Sequence, residues 1–305
     1  MAVIESPAAS VVDEIPEHRR RPFGRWFRES GWRHVVGLLA LVFALFPLVF
    51  VLSASVNTSG NLTGSTAIFQ SFTLDNYEAL FSDPSRPYGR WFMNTMIIGA
   101  ITAAGTVFLC AIAAYAFSRF RFSGRRAGLL GLILLQMFPQ LLAYIAIFAL
   151  LSAMEGVFPA IGLDSQLGLI MVYLGGALGV NTFLMYGFFN TVPRELDESA
   201  KIDGAGHARI FFGIILRLVT PILIVIGLLS FIATLNEFLI ASLVLQDPDK
   251  QTLAVGLYKF VSQRFAENWG VFTAGAVLGA IPVVLLFQFL QKYIVGGLTA
   301  GAVKG

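Results

Sequence analysis

The sequence is poor in charged residues and has one cysteine. Only 13% of its 305 residues are Asp, Glu, Lys or Arg, whereas soluble domains carry about 25%. The single cysteine, Cys110, excludes a disulfide within the chain and a cysteine metal cluster. It falls in an apolar run and is predicted to be inert packing. The three histidines, His18, His34 and His207, are far apart and show no metal-ligand spacing.

The common catalytic motifs are also missing. The sequence has no P-loop, no HExxH and no GxSxG, so neither ATP hydrolysis by P-loop chemistry nor a protease or esterase site is expected. We therefore predict that the chain is not an enzyme and binds no cofactor or metal. The formal net charge is +3, but the basic residues cluster beside apolar runs. Membrane topology explains them better than nucleic acid does, and we predict no nucleic-acid partner.

What the sequence has instead is long apolar runs. Hydrophobic residues make up 56% of the chain, in runs of the about 20 residues that cross a bilayer as a helix. We predict an all-α membrane protein with six transmembrane helices in the lipid bilayer, the third kinked at Pro139. The predicted spans lie at or within 35–56, Trp91–Ser118, Ala127–Met154, Ser165–Pro193, Leu218–Leu245 and Asn268–Gln291.

The distribution of Lys and Arg predicts the orientation. Sixteen of the twenty-one lie in segments that six spans would put on one side of the membrane. Positive charge marks the cytoplasmic side, so both termini and the loop at 194–217 are predicted to be cytoplasmic. The predicted parts are a basic tail at 1–33, a six-helix domain at 34–296 with extracytoplasmic loops at 57–89 and 246–267, and a C-terminal tail at 297–305.

The loop at 194–217, which we call the acidic loop after the net acidic segment at 195–202, is the longest charge-bearing segment in the second half of the chain that cannot span the membrane. Residues 195–202 can form an amphipathic helix after Pro193, and Asp203-Gly204 is a turn signal. A second helix is expected from His207 towards the fifth span. Such a helix–turn–helix could dock on a partner or rest on lipid. Because lipid favours a basic polar face and the first helix is net acidic, docking is the preferred interpretation.

The acidic loop resembles a known motif. Glu198-Ser199-Ala200 followed by Asp203-Gly204-Ala205 is similar to the EAA loop of ABC importer permeases, which serves there as a coupling helix for a separate ATPase. Ser199 stands where that family usually has alanine. Arg217 replaces the first proline found in many sugar permeases, while Pro221 keeps the second, so a straighter approach to the fifth span is expected.

Other motifs extend the resemblance from about residue 35 to the C-terminus. They are similar to those of the MalG-type permeases of maltose and maltodextrin importers, in the binding-protein-dependent sugar permease family. The matching segments are Gln136-Met137-Phe138-Pro139, residues 161–163, Tyr173-Leu174-Gly175-Gly176, Leu229-Ser230-Phe231-Ile232-Ala233, Thr252-Leu253-Ala254-Val255-Gly256 and residues 297–305.

The resemblance implies an assembly in the bacterial cytoplasmic membrane. Its other members are a MalF-type second permease, a homodimeric MalK-type ATPase that binds ATP and Mg²⁺, and an extracytoplasmic sugar-binding protein. Carried over by position, the ATPase-coupling residues are Glu198, Ser199, Ala200, Asp203, Gly204, Ala205 and Phe211. The ATPase-interface tail is Gly301, Ala302, Val303, Lys304 and Gly305, and the binding-protein contact is Thr252, Leu253, Ala254, Val255 and Gly256. No sugar-contacting residue is assigned in the spans.

Several alternatives remain open. The transported sugar could be maltose, maltodextrin, trehalose or another oligosaccharide. A stand-alone secondary transporter would need ionisable groups at mid-membrane, and an intramembrane enzyme would need paired catalytic groups at that depth. Neither is evident in the sequence. Glu237 lies roughly 29 Å along a helix from Leu218, near the outer interface. It is either a gating or binding-protein contact or a solvated interfacial side chain. Asn94 and Asn181 are expected to form interhelical hydrogen bonds.

Overall fold

The computed structural model describes residues 27–58, 68–262 and 268–302, and every regular element in these ranges is helical. The first helices are α1 (Trp32–Ser55, after a π turn at Phe27–Gly31), α2 (Asp75–Ser82), α3 (Tyr88–Arg119), α4 (Arg125–Gln136), α5 (Gln140–Glu155) and α6 (Gln166–Phe189). The remaining helices are α7 (Glu195–Ile202), α8 (His207–Leu218, with a π turn at Phe211–Ile215), α9 (Thr220–Asn236), α10 (Leu239–Val244), α11 (Leu253–Val261) and α12 (Trp269–Ala302).

The chain divides into two compact units, one up to Phe50 and one from Val51. The described part of the first unit, from Phe27 to Phe50, belongs to the apolar helix that ends at Ser55. In the second unit, α3 packs against α6 and α9, α4 packs against α6, and α9 packs against α12. Cys110 is fully buried on α3, which confirms the packing role predicted for it.

Fewer helices are long enough to span a membrane than the sequence predicted. Four of the described helices are long and apolar enough to cross a membrane: Phe27–Ser55, Tyr88–Arg119, Gln166–Phe189 and Trp269–Tyr293. The bent pair α8 and α9 would make a fifth. The predicted third span is instead two helices, because Pro139 lacks an N–H and disfavours helical backbone in the residue before it. The chain therefore breaks between Gln136 and Gln140, a stronger interruption than the predicted kink.

The predicted fifth span, Leu218–Leu245, differs from the structure at both ends. The axes of α8 and α9 meet at 79°, although the sequence led us to expect a straighter approach. Val219 leaves helical geometry with φ −95° and ψ 9°, and Pro221 follows in the first turn of α9. Pro221 cannot donate to the turn before it, so one proline is enough for the bend. At its other end, α9 stops at Asn236 rather than continuing to Leu245.

Candidate functional sites

The acidic loop forms the predicted helix–turn–helix. α7 covers residues 195–202 as expected, and α8 begins at His207. The turn between them places Gly204 at φ +82°, a left-handed conformation that glycine adopts without steric cost. The Ala205 N–H donates to the Ala200 carbonyl at 2.9 Å, which closes the end of α7. The turn is therefore fixed by backbone conformation and hydrogen bonds.

A buried ion pair joins α7 to the end of α3. Arg119 Nε lies 2.7 Å from Asp197 Oδ2, and both side chains are less than a tenth exposed. Arg119 also donates to the Val192 carbonyl at 3.0 Å. The Asp197 oxygens accept no aligned hydrogen bond from the described residues, so the contact is mainly electrostatic and Asp197 depends on Arg119. Nothing in the local sequence pattern pointed to this pair.

Aromatic side chains pack beneath the turn. Phe211 is 5% exposed, and its ring centroid lies 5.0 Å from that of Tyr115 on α3. Phe120, just after α3, lies 5.0 Å from His207 at the start of α8. Phe211 thus packs the second helix of the loop against the bundle, which is the packing role predicted for it.

The structure separates the predicted coupling residues into two groups. Glu198, Ser199, Asp203 and Gly204 are exposed, and Ala205 is half-buried. Ala200 is 9% exposed and faces the bundle. The sequence interpretation overlooked Ile202, which is 87% exposed at the end of α7. A solvent-exposed apolar side chain at the tip of a polar loop is a candidate for contact with another protein.

The predicted binding-protein contact is largely buried. Thr252, Leu253, Val255 and Gly256 are all inaccessible, and Ala254 is half-buried. The Leu253 N–H donates to Thr95 Oγ1 at 2.7 Å. These residues pack α11 against the start of α3, and this burial does not support a direct contact with a binding protein.

Hydrogen bonds fix the chain just before α11. Asp164, at φ +55°, accepts at Oδ1 from the backbone N–H groups of Gln246 and Asp247, each at 3.0 Å. Its Oδ2 accepts from Lys250 Nζ at 2.8 Å. Partial burial raises the pKa of Asp164, but these hydrogen bonds outweigh it and bring the pKa below its ordinary 3.8. The hydrogen bond to Asp164 raises the pKa of Lys250.

Asn94 joins the same network. Its amide donates to the carbonyls of Asp249 and Gln251 at 2.9 and 3.0 Å. The expected interhelical hydrogen bond of Asn94 is therefore wrong, because the side chain holds a loop. Asn181 donates to Ala177 in its own helix at 2.9 Å, so the expectation for it is wrong as well.

The predicted C-terminal tail is helical as far as it is described. α12 runs through Gly301 and Ala302, so the first six residues of the predicted tail at 297–305 continue the last helix. Val303, Lys304 and Gly305 lie outside the described residues, as do 1–26 of the predicted N-terminal tail. The proposed contact of this tail with an ATPase stays a prediction.

A cavity of about 470 Å³ lies among α3, α5, α6, α9 and α10. Glu237 reaches its wall, between α9 and α10. The carboxylate accepts from the N–H groups of Ile240 and Ala241 at 2.8 and 2.9 Å and from the Tyr173 hydroxyl at 2.6 Å. It is half-buried and caps α10.

Comparison with known proteins identifies the family. The family described as "Binding-protein-dependent transport system inner membrane component" matches residues 106–299. The chain belongs to this family. It is therefore a multi-pass membrane component of a transport system.

Named relatives of this inner membrane component are sugar permeases. Galactooligosaccharides transport system permease protein GanQ of Bacillus subtilis is 41% identical over 87% of this chain and 92% of its own length. Maltodextrin transport system permease protein MdxG of the same organism is 40% identical over 88% and 93%. MalG of Salmonella typhimurium, a maltose/maltodextrin permease, is 38% identical over 88% and 94%. These relatives are permease subunits and not enzymes.

Solved structures show the permease fold. A chain of a bacterial ABC transporter involved in the import of the acidic polysaccharide alginate superposes with a TM-score of 0.73 at 22% identity, covering 90% of this chain and 99% of that one. A second alginate transporter structure, in complex with a periplasmic protein bound to an alginate pentasaccharide, gives 0.66 at 16% identity over 90% and 96%. The helical arrangement is therefore that of an ABC importer permease.

Proposed function

We propose that this chain is one permease subunit of an ATP-driven importer for maltose or maltodextrin-like oligosaccharides. Two of the cited relatives are named for maltodextrin or maltose and one for galactooligosaccharides, so a galactooligosaccharide is an alternative, as is trehalose. The chain works with a second permease, a pair of ATPase subunits and an extracytoplasmic binding protein. ATP binds and is hydrolysed on the partner subunits.

The observation that carries this proposal is the two-sided construction of the acidic loop. One face of α7 is fixed to α3 by the Arg119–Asp197 ion pair. The opposite side presents Glu198, Ser199 and Ile202 to solvent. A short helix fixed in this way can transmit force. A partner that binds its exposed side moves α7 together with the helix to which it is attached.

Movement of α7 has two routes into the membrane. The ion pair passes it to α3, and the Phe211 packing passes it through α8 to α9 across the 79° bend. In the proposed cycle, ATP binding closes the ATPase subunits and draws the acidic loops together. The spans then switch from inward-facing to outward-facing, the binding protein releases sugar, and hydrolysis resets the complex.

The test is sugar-stimulated ATP hydrolysis by the reconstituted complex. Glu198→Lys reverses a charge on the exposed side of α7, and Gly204→Asp adds a charged side chain at the exposed turn after α7. Each is expected to abolish most of the stimulation by binding protein and maltose while the membrane subunits still assemble. Glu78→Lys, an exposed charge reversal on α2, is the matched control and should leave stimulation unchanged. Normal stimulation in both loop variants would show that the acidic loop is not the coupling element.

A stand-alone secondary transporter is the competing function. It would move sugar in vesicles that contain this chain without ATP or an ATPase. Uptake under those conditions would overturn the importer proposal, whereas strict dependence on ATP and on the partner subunits would support it.

A further inference from the structure

The cavity beside Glu237 has a polar wall that the coupling function does not use. Its volume of about 470 Å³ falls within the about 300–1,000 Å³ typical of small-molecule sites. Thr102 contributes to it from the middle of α3, Tyr144 from α5 and Asn181 from α6. Polar side chains gathered at membrane depth are expensive and are functional candidates by default.

Several of these polar groups have hydrogen-bonding capacity left over. Thr102 Oγ1 is buried and has no hydrogen-bond partner in the described part of the chain. Asn181 uses its amide N–H groups on Ala177, which leaves Oδ1 able to accept. A buried polar group left without a partner costs free energy, so the wall favours an occupant that carries hydroxyl groups.

Glu237 is an oriented acceptor in the same wall. The two backbone N–H groups and the Tyr173 hydroxyl hold its carboxylate in one position. A carboxylate has about four acceptor sites, so at least one remains for a ligand hydroxyl. The cavity lining contains no Lys or Arg among the described residues. The wall therefore disfavours a ligand that carries its own carboxylate, because like charges at close range are repulsive.

We propose that this cavity is a subsite for one ring of a neutral, hydroxyl-rich sugar. Tyr144 and Tyr173 supply aromatic surface, while Asn181 and Glu237 accept sugar hydroxyls. The inference rests on the proposed importer function and adds to it a binding role for this subunit and a preference for neutral over acidic sugars. The solved structure with the same fold belongs to an importer of an acidic polysaccharide, and the charge at this wall is where we expect the two proteins to differ.

Two neighbouring glycines provide the first test. Gly175 and Gly176 on α6 both have open space where a side chain would begin, but only Gly176 lines the cavity. In the assembled complex, Gly176→Leu should weaken binding of maltotriose at least tenfold, measured by equilibrium dialysis of the solubilised complex. Gly175→Leu should leave it unchanged. Equal affinities in the two variants, or no binding of maltotriose by the wild-type complex, would overturn the subsite.

A pair of asparagines gives a second test that does not add bulk. Asn181 and Asn236 each donate to the carbonyl four residues earlier in their own helices, and only Asn181 lines the cavity. Asn181→Ala should weaken maltotriose binding severalfold, and Asn236→Ala should not. The same weak effect in both would count against the subsite even if a glycine variant failed to assemble.

The charge preference is tested with a neutral and an acidic trisaccharide. The wild-type complex should bind maltotriose at least tenfold more tightly than trigalacturonate, and Glu237→Gln should reduce that ratio at least fivefold. An unchanged ratio would refute the role of Glu237. ATP-dependent uptake by the wild-type complex is measured separately: its absence would overturn the proposed function, whereas normal uptake with binding unaffected in every cavity variant would overturn only the subsite.

Discussion

The acidic loop and the 246–267 loop meet the bundle at opposite ends of α3, and they do so differently. The acidic loop is held by one buried ion pair and an aromatic cluster, and it leaves one side of α7 exposed. The other loop is held by a network around Asp164 and Asn94, and its TLAVG segment is buried. For both loops, a family motif in the sequence predicts a contact with a partner protein.

The difference shows that a motif can mark either a surface or an anchor. In the first motif, Glu198 and Ser199 are exposed to solvent and Ala200 is buried. In the other motif, Leu253 is buried in one cluster with Trp91, and Gly256 lets the Trp91 ring lie against the backbone because glycine has no side chain. Burial separates these roles, because a side chain already packed in its own chain is not free to contact a partner. Four predictions test this contrast.

The largest effect is expected from Asp197→Ala. Breaking a buried ion pair by removing one partner costs about 3–5 kcal/mol, and here it leaves Arg119 buried beside α7. The unfolding midpoint of the purified complex should fall sharply, and sugar-stimulated ATP hydrolysis should fall with it. Glu195→Ala, an exposed change in the same helix, should alter stability by less than about 0.5 kcal/mol.

A double replacement checks the cause. Arg119→Met combined with Asp197→Leu removes both charges and keeps apolar volume, so it should recover most of the lost stability. It should not recover coupling fully if the charge pair itself transmits movement. A single Asp197→Ala change that proves as mild as Glu195→Ala would show that the ion pair does not hold α7.

The next effect is expected at the other loop. A methyl group at Gly256 would begin 2.1 Å from the Trp91 ring, so Gly256→Ala should destabilise the protein by about 1–3 kcal/mol through overpacking. Gly206→Ala in the acidic loop meets nothing within 4 Å and should be nearly neutral by the same thermal measurement. Equal effects would mean that the two loops are not packed differently.

A smaller effect is expected at the turn after α7. Gly204 has φ +82° and open space around it, so the cost of Gly204→Ala is conformational, about 1–2 kcal/mol. Gly204→Asn should cost less, because asparagine tolerates the left-handed region. Chemical denaturation of the two variants measures the difference. If alanine and asparagine cost the same, backbone conformation is not the reason for glycine here.

The smallest effect is expected from the exposed Asp164–Lys250 pair. The pKa of Asp164 is lower in the folded chain than its ordinary 3.8, so its stabilising contribution is complete above that value and is lost as the pH falls through the folded pKa. Hydrogen-exchange protection of the Gln246 and Asp247 amides should therefore decrease below about pH 4.

Two variants serve as controls for the pH dependence. Asp164→Asn should remove it, because no titrating carboxylate is left at the position. Lys250→Met should lower protection only slightly at neutral pH, by less than about 1 kcal/mol, because exposed pairs are weak. Protection that stays constant in the wild-type protein between pH 5 and pH 3 would contradict the assignment.

The sequence by itself determined that this is a helical membrane protein and where its polar helix–turn–helix lies. Membrane-length apolar runs and the Asp203-Gly204 turn depend only on residues that are neighbours in the sequence, so the sequence alone predicts them. The tertiary structure decided which motif residues are exposed, how Arg119 meets Asp197 and where Glu237 meets Tyr173. These contacts join residues far apart in sequence, and they exist only because helix packing brings the residues together.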